Sequence, residues 1–230
     1  MRIPPHRIER TKNKHSRALY RGNTVIIRLA RGLSRTEERD HIESLTRRMQ
    51  AYIAEESQKT IVDPFRHLLE GGQSQTVQLA TGKKIHFSLE PGERTEAWQS
   101  RKGFRMTLSP RIRRTSLHRL LWKVLSETEL PRVTGLVARL NQETFRARIR
   151  PVHLRFARSQ WGSCSPRGVI MLNTALLFLP PSILKYVILH ELAHTVHRNH
   201  SRAYWREVAW IMPTYKKALE ELGEYRLPTL

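Results

Sequence analysis

The sequence predicts an α+β fold. Strand-like and helix-like hydrophobic patterns are mixed along the chain, turn formers fall between the strand-like segments, and the carboxyl-terminal part is helical throughout. Residues 1–16 are polar and basic and read as a flexible tail. Residues 17–109 form a strand-rich amino-terminal region. Within it, residues 24–30 read as a strand, and Ser34 with Glu37 makes a capping box that opens a helix to about residue 56. Gly71-Gly72 marks a loop, residues 76–80 and 84–89 a hairpin around Thr81-Gly82, and residues 103–108 another strand.

Residues 110–230 read as a third region. Residues 114–145 form one or two helices, with Pro131 starting the second. Residues 152–159 alternate as a half-exposed strand. Ser165-Pro166-Arg167-Gly168 has the Pro and Gly of a type I turn, and residues 169–173 a more buried strand. Pro180-Pro181-Ser182 opens a helix whose Ile183, Leu184, Val187 and Ile188 face the core. Ser201 caps a helix through residue 211, and Pro213 starts a last one ending near Gly223.

The helix after Pro181 carries His190-Glu191-Leu192-Ala193-His194, followed by Arg198-Asn199-His200-Ser201. Residues four apart share a helix face, so His190 and His194 can address one ion. That is the ligand pattern of a catalytic zinc site. Glu191 lies about 100° round the helix, within reach of a metal-activated water whose proton it can accept. His200 on a continuing helix would rise about 9 Å beyond His194, whereas two nitrogens on one zinc lie about 3.3 Å apart. The chain must therefore reverse, and Asn199 stands where a left-handed residue would do it. Glu207, Glu220, Glu221 and Glu224 are alternative third ligands, with His200 preferred because the reversal serves it. His197 reads as a supporting or exposed histidine.

Residues 161–173 (Trp161-Gly162-Ser163-Cys164-Ser165-Pro166-Arg167-Gly168 and on to Asn173), the stretch from Tyr186 to His194, and Asn199-His200-Ser201-Arg202-Ala203-Tyr204-Trp205 together resemble the YgjP-like metallopeptidase family. That family is related to the SprT-like and WLM zincins, and the strong match covers about residues 150–215. The resemblance implies a zincin-like metallopeptidase domain, Zn²⁺ held by His190, His194 and His200, and Glu191 as general base. It also implies that the strand region from Trp161 to Asn173 frames the cleft, which makes Trp161 and Asn173 cleft candidates although their residue types alone read as structural. Tyr204 is a third candidate, as an oxyanion stabiliser, with packing the plainer reading. Tyr204 stands where the family often has Phe. The one cysteine, Cys164, reads as a small buried hydrophobe rather than a nucleophile.

Composition bounds the rest. With one Cys among 230 residues the chain forms no internal disulfide, which fits a reducing compartment. The basic start has no apolar core, so it is no secretory signal. The apolar run over residues 169–189 is broken as a membrane span by Asn173, Pro180-Pro181 and Lys185. The expectation is a cytoplasmic protein without a membrane partner. The net charge is +21, and residues 101–160 alone hold 15 Lys and Arg against 3 acidic residues. Such clusters attract DNA or other polyanions. The leading functional reading is a zinc peptidase acting on peptide or protein substrates. The alternative is a basic nucleic-acid-associated protein with a structural or inactive metal site.

Overall fold

The structure, a computed structural model, describes residues 5–21, 24–101 and 103–228. Its contacts divide the chain into Met1–Lys59 and Thr60–Leu230.

In the first unit, β1 (His6–Arg10), β2 (Arg17–Arg21) and β3 (Thr24–Leu29) form a sheet in the order β1-β3-β2. β1 runs parallel and β2 antiparallel to β3. Val25, Ile27 and Leu29 alternate along β3 and are buried. Against them pack Ile42, Leu45, Met49 and Ile53, one stripe of α1 (Arg35–Gln58). The Ser34–Glu37 capping box is formed. The expected tail over residues 1–16 needs correction, because His6–Arg10 is a strand. Its sequence lacks apolar alternation, and it is held instead by the β3 ladder and by the Arg10–Glu38 and Arg28–Glu9 ion pairs. Residues 1–4 of that tail lie outside the described residues.

The second unit opens with β4 (Thr60–Ile61) and α2 (Arg66–Leu69). Next come β5 (Ser74–Gln78), β6 (Lys84–Pro91), β7 (Glu96–Ser100) and β8 (Gly103–Leu108), a sheet in the order β5-β6-β8-β7. After α3 (Arg114–Glu143), β9 (Val152–Arg155), β10 (Gly162–Cys164) and β11 (Ile170–Asn173) make a second sheet, in the order β10-β11-β9. A 3-10 turn (Thr174–Phe178), α4 (Pro181–Ala193), α5 (Arg202–Ile211), α6 (Tyr215–Gly223) and β12 (Tyr225–Arg226) complete it, β12 pairing with β4. Mixed helix and sheet in this order is the α+β class expected. Among the described residues no helix is long and apolar enough to cross a membrane. The apolar run over residues 169–189 is divided among a strand, a 3-10 turn and a helix.

One core runs through the two larger sheets of this unit and through α3 and α4. The expected division between residues 109 and 110 falls inside it. Phe65 stands edge-on to both Phe87 of β6 and Trp122 of α3, at 5.2 and 5.1 Å, so strands before that point and the helix after it bury the same surface. A jump in charge density, not a break in packing, lies there. Pro131 likewise starts no second helix, since α3 is continuous through it. Pro131 is exposed, so the carbonyl it leaves without a donor can meet water, while buried Leu121, Leu125, Val133 and Val137 hold both halves to one core. Buried Glu129 accepts from Lys83 and Arg132, both at 2.7 Å, fastening α3 to the β5–β6 turn.

Buried His118 on α3 accepts the Trp122 Nε1–H at 2.8 Å. Burial, then the nearby charges of Arg158 and Arg114, push its pKa down from 6.5 to about 4. Below about pH 6.5 the unfolded chain takes a proton that the folded chain refuses until about pH 4. Stability should therefore fall as pH drops through that window, by at most about 3 kcal/mol before solvent screening reduces it. Urea unfolding at pH 7 and pH 4.5 checks this. His118→Gln, which keeps an acceptor for Trp122 but does not titrate, should lose less stability across the window than the wild type. Equal losses would contradict the assignment.

Candidate metal centre

α4 begins at Pro181, whose fixed φ suits a first helical turn, and buries Ile183, Leu184, Val187 and Ile188 as expected. It packs against β10 and β11 as well as α5 and α6. His190 and Glu191 stand in its last turn and His194 at its carboxyl-terminal cap. There the chain leaves the helix: Thr195 N–H donates to Leu192 O and Val196 N–H to Ala193 O, a tightened turn. Ser201 then caps α5 by accepting from Tyr204 N–H. The reversal does not use Asn199 in the left-handed region. Among the described residues Arg146 is the only non-glycine with positive φ; the chain turns at residues 194–196 and bends again at Arg198 and Asn199.

The reversal brings His200 back to the helix. His190, His194 and His200 each offer one ring nitrogen within 4.8 Å of the others, a group able to hold a metal ion. His190 Nε2 and His200 Nε2 are 3.1 Å apart, close to the separation of two imidazole nitrogens on one zinc (about 3.3 Å). The outer nitrogens are engaged. His190 Nδ1 lies 3.4 Å from the Tyr186 hydroxyl, and His194 Nδ1–H donates to the His197 carbonyl (3.0 Å). On His194, holding the proton on Nδ1 leaves Nε2 with a lone pair for an ion. Burial, then the neighbouring His194 and His200, push His190 down to about 4, so it is neutral at pH 7; burial and His194 also lower His200. Three imidazole nitrogens this close together fit a divalent borderline metal such as zinc.

His200 is the exposed member of the three, and its ring is set by packing: Trp205 stacks on it at 5.6 Å and Tyr204 stands edge-on at 4.9 Å. Glu207, weighed as a third ligand, instead meets His197 Nε2 at 2.6 Å. Among the described residues no carboxylate of α6 joins the cluster.

Glu191 is 5% exposed, and burial raises its carboxyl to about 8. A dication on the adjacent histidines would draw it back toward the ordinary carboxylate range. Facing it across β10 is Gly162: a Cβ built there would lie 2.5 Å from Glu191 Oε1 and 3.0 Å from Cδ. The strand thus comes close to the carboxylate only because position 162 has no side chain. Isolated glycine inside a strand pattern is the sequence signal for such an approach, and Trp161-Gly162-Ser163 carries it. Burial first, then the Glu191 charge, pushes the Cys164 thiol up, so it stays protonated.

The three cleft candidates separate. Trp161 is half-buried beside Gly162, and its carbonyl accepts from Asn173 N–H. Asn173 is fully buried: its side-chain amide donates to Ala157 O and Gln160 O, both at 2.8 Å, and its Oδ1 accepts from Ala175 N–H. It anchors the loop that carries Trp161 and does not face a cleft. Tyr204 is also fully buried, and its hydroxyl donates to His190 O at 3.2 Å. That bond and its ring contacts with all three histidines make it a support for the triad, with no open hydroxyl.

The family model described as YgjP-like, metallopeptidase domain, matches residues 12–225 of the chain. No curated protein and no solved structure matches it.

Proposed function

Since the chain belongs to the YgjP-like metallopeptidase family, we propose that it is a zinc-dependent peptidase in which His190, His194 and His200 hold the metal and Glu191 is the general base. The observation that carries this reading is the 3.1 Å approach of His190 Nε2 to His200 Nε2 inside the three-histidine group, with Glu191 buried beside it. Zinc bound by such a triad supplies a Lewis acid that polarises the scissile carbonyl and lowers the pKa of an attacking water to about 7.

The chain's own groups do the remainder. Glu191 accepts the proton of the attacking water and delivers it to the departing amine, so the peptide bond is hydrolysed with no net change in the enzyme. The His197 carbonyl keeps His194 in the ligating tautomer, and the Tyr186 hydroxyl lies against the His190 ring. β10 offers a docking edge. Trp161 and Ser165 bond toward β11; alternation along an antiparallel ladder makes Ser163 do the same and turns the backbone groups of Gly162 and Cys164 to the open side. An extended peptide can add there as a further strand, its backbone passing beside Glu191.

A structural zinc site takes four protein ligands, and among the described residues the group has three. This favours catalysis over the reading as a nucleic-acid-associated protein with a structural metal. The test is metal dependence. Chelator-treated protein should lose hydrolysis of an unfolded protein substrate and regain it with one equivalent of Zn²⁺. Hydrolysis that survives complete metal removal would refute the reading.

A further inference from the structure

We propose that the first unit carries a phosphate-binding pocket, independent of the metal centre. A cavity of about 380 Å³ opens between the β1–β2 connection, the residues after β3 and one side of α1. Lys14, His15, Arg31, His41 and Arg48 line it, with the hydroxyls of Ser16 and Ser44, and no carboxylate does.

That absence follows from where the acids of this unit go. Residues 1–59 contain seven acidic side chains. Glu9 pairs with Arg7 and Arg28, Glu38 with Arg10, Asp40 with Arg39, Glu43 with Arg47, and Glu55 and Glu56 with Lys59. Glu37 is bound into the Ser34 capping box. Asp40 and Glu43 border a neighbouring cavity that shares Arg48 and Ser44, and Glu37 acts on His41 from outside. Within this cavity Lys14 and Arg31 therefore meet no carboxylate, and Arg48 stands between the two cavities. Like charges gathered around a concavity repel each other, and an anion entering it removes that cost.

The wall is also pre-shaped. Ser16 Oγ accepts Ala30 N–H at 2.9 Å and bonds His41 Nδ1 at 2.9 Å, which ties the loop, the end of β3 and α1 together. Two guanidinium forks, an ammonium group and hydroxyl donors suit the charge and several acceptor oxygens of a phosphate group. Phosphate reaches such a pocket either as a small phosphate compound or as the backbone of a nucleic-acid strand.

Two probes distinguish these sources: pyrophosphate, and a fluorescein-labelled single-stranded 20-nucleotide DNA. The full chain is titrated as wild type and as two triple variants that remove equal charge. Lys14→Ala/Arg31→Ala/Arg48→Ala empties the pocket, and Lys12→Ala/Arg17→Ala/Arg35→Ala takes exposed cations outside it. The pocket variant should bind the strand at least tenfold more weakly and lower the slope of log affinity against log salt by about 2. The control variant should lose less than threefold. Pyrophosphate that competes with the strand would identify a site for small phosphate compounds. Pyrophosphate without effect, with the pocket variant still weakened, would make the strand the source. Equal weakening of both variants, or binding of neither probe, would overturn the proposal. Circular dichroism of both variants, whose substituted side chains are exposed, controls for folding.

Discussion

Glu191→Gln should abolish most peptide hydrolysis, by about 10²- to 10⁴-fold in kcat, while leaving the metal bound. The substitution keeps the side chain's size in a buried position but removes its capacity to accept a proton. The three histidines do not depend on it, because their outer nitrogens and rings are held by Tyr186, His197, Tyr204 and Trp205. Metal content measured beside turnover separates the two effects. A variant that loses activity together with its metal would show Glu191 to be part of the metal's support, and unchanged activity would remove it as base.

Gly162→Ala comes next in size. The backbone at Gly162 is not in the left-handed region, so alanine fits the strand itself. The clash is with the Glu191 carboxyl, which a Cβ would meet at 2.5 to 3.0 Å. Either the carboxyl swings away or β10 backs off, and both displace the base by about an ångström. A misplacement of that size costs about 10²-fold. The expected result is a drop in kcat of about a hundredfold, with zinc retained and the thermal midpoint little changed. Activity within threefold of wild type would show that the approach of β10 to Glu191 has no part in turnover.

The parts of the site governed by local periodicity were legible in the sequence. His190, Glu191 and His194 follow from the 3.6-residue turn, and the need for a chain reversal before His200 follows from the distance a continuing helix would cover. The Ser34 capping box and the strands around Thr24, Lys84 and Gly103 were read from nearest-neighbour chemistry. What escaped depends on contacts between distant segments. Gly162 meets Glu191 across 29 positions, and an isolated strand glycine signals a close approach without saying to what. Asn173 and Tyr204 are cleft candidates only through the family resemblance, and burial makes one a loop anchor and the other a brace for His190. β1 is a strand through its pairing partner, not its own pattern, and Pro131 stays inside α3 because the core on both sides outweighs one lost helical bond.

The most direct measurement is the zinc content of the purified protein and of His200→Ala, reconstituted under the same conditions. One zinc per chain, lost or held at least tenfold more weakly in the variant, is the predicted result. Zinc bound equally by both proteins would contradict the three-histidine centre, and zinc in neither would contradict the metallopeptidase mechanism built on it.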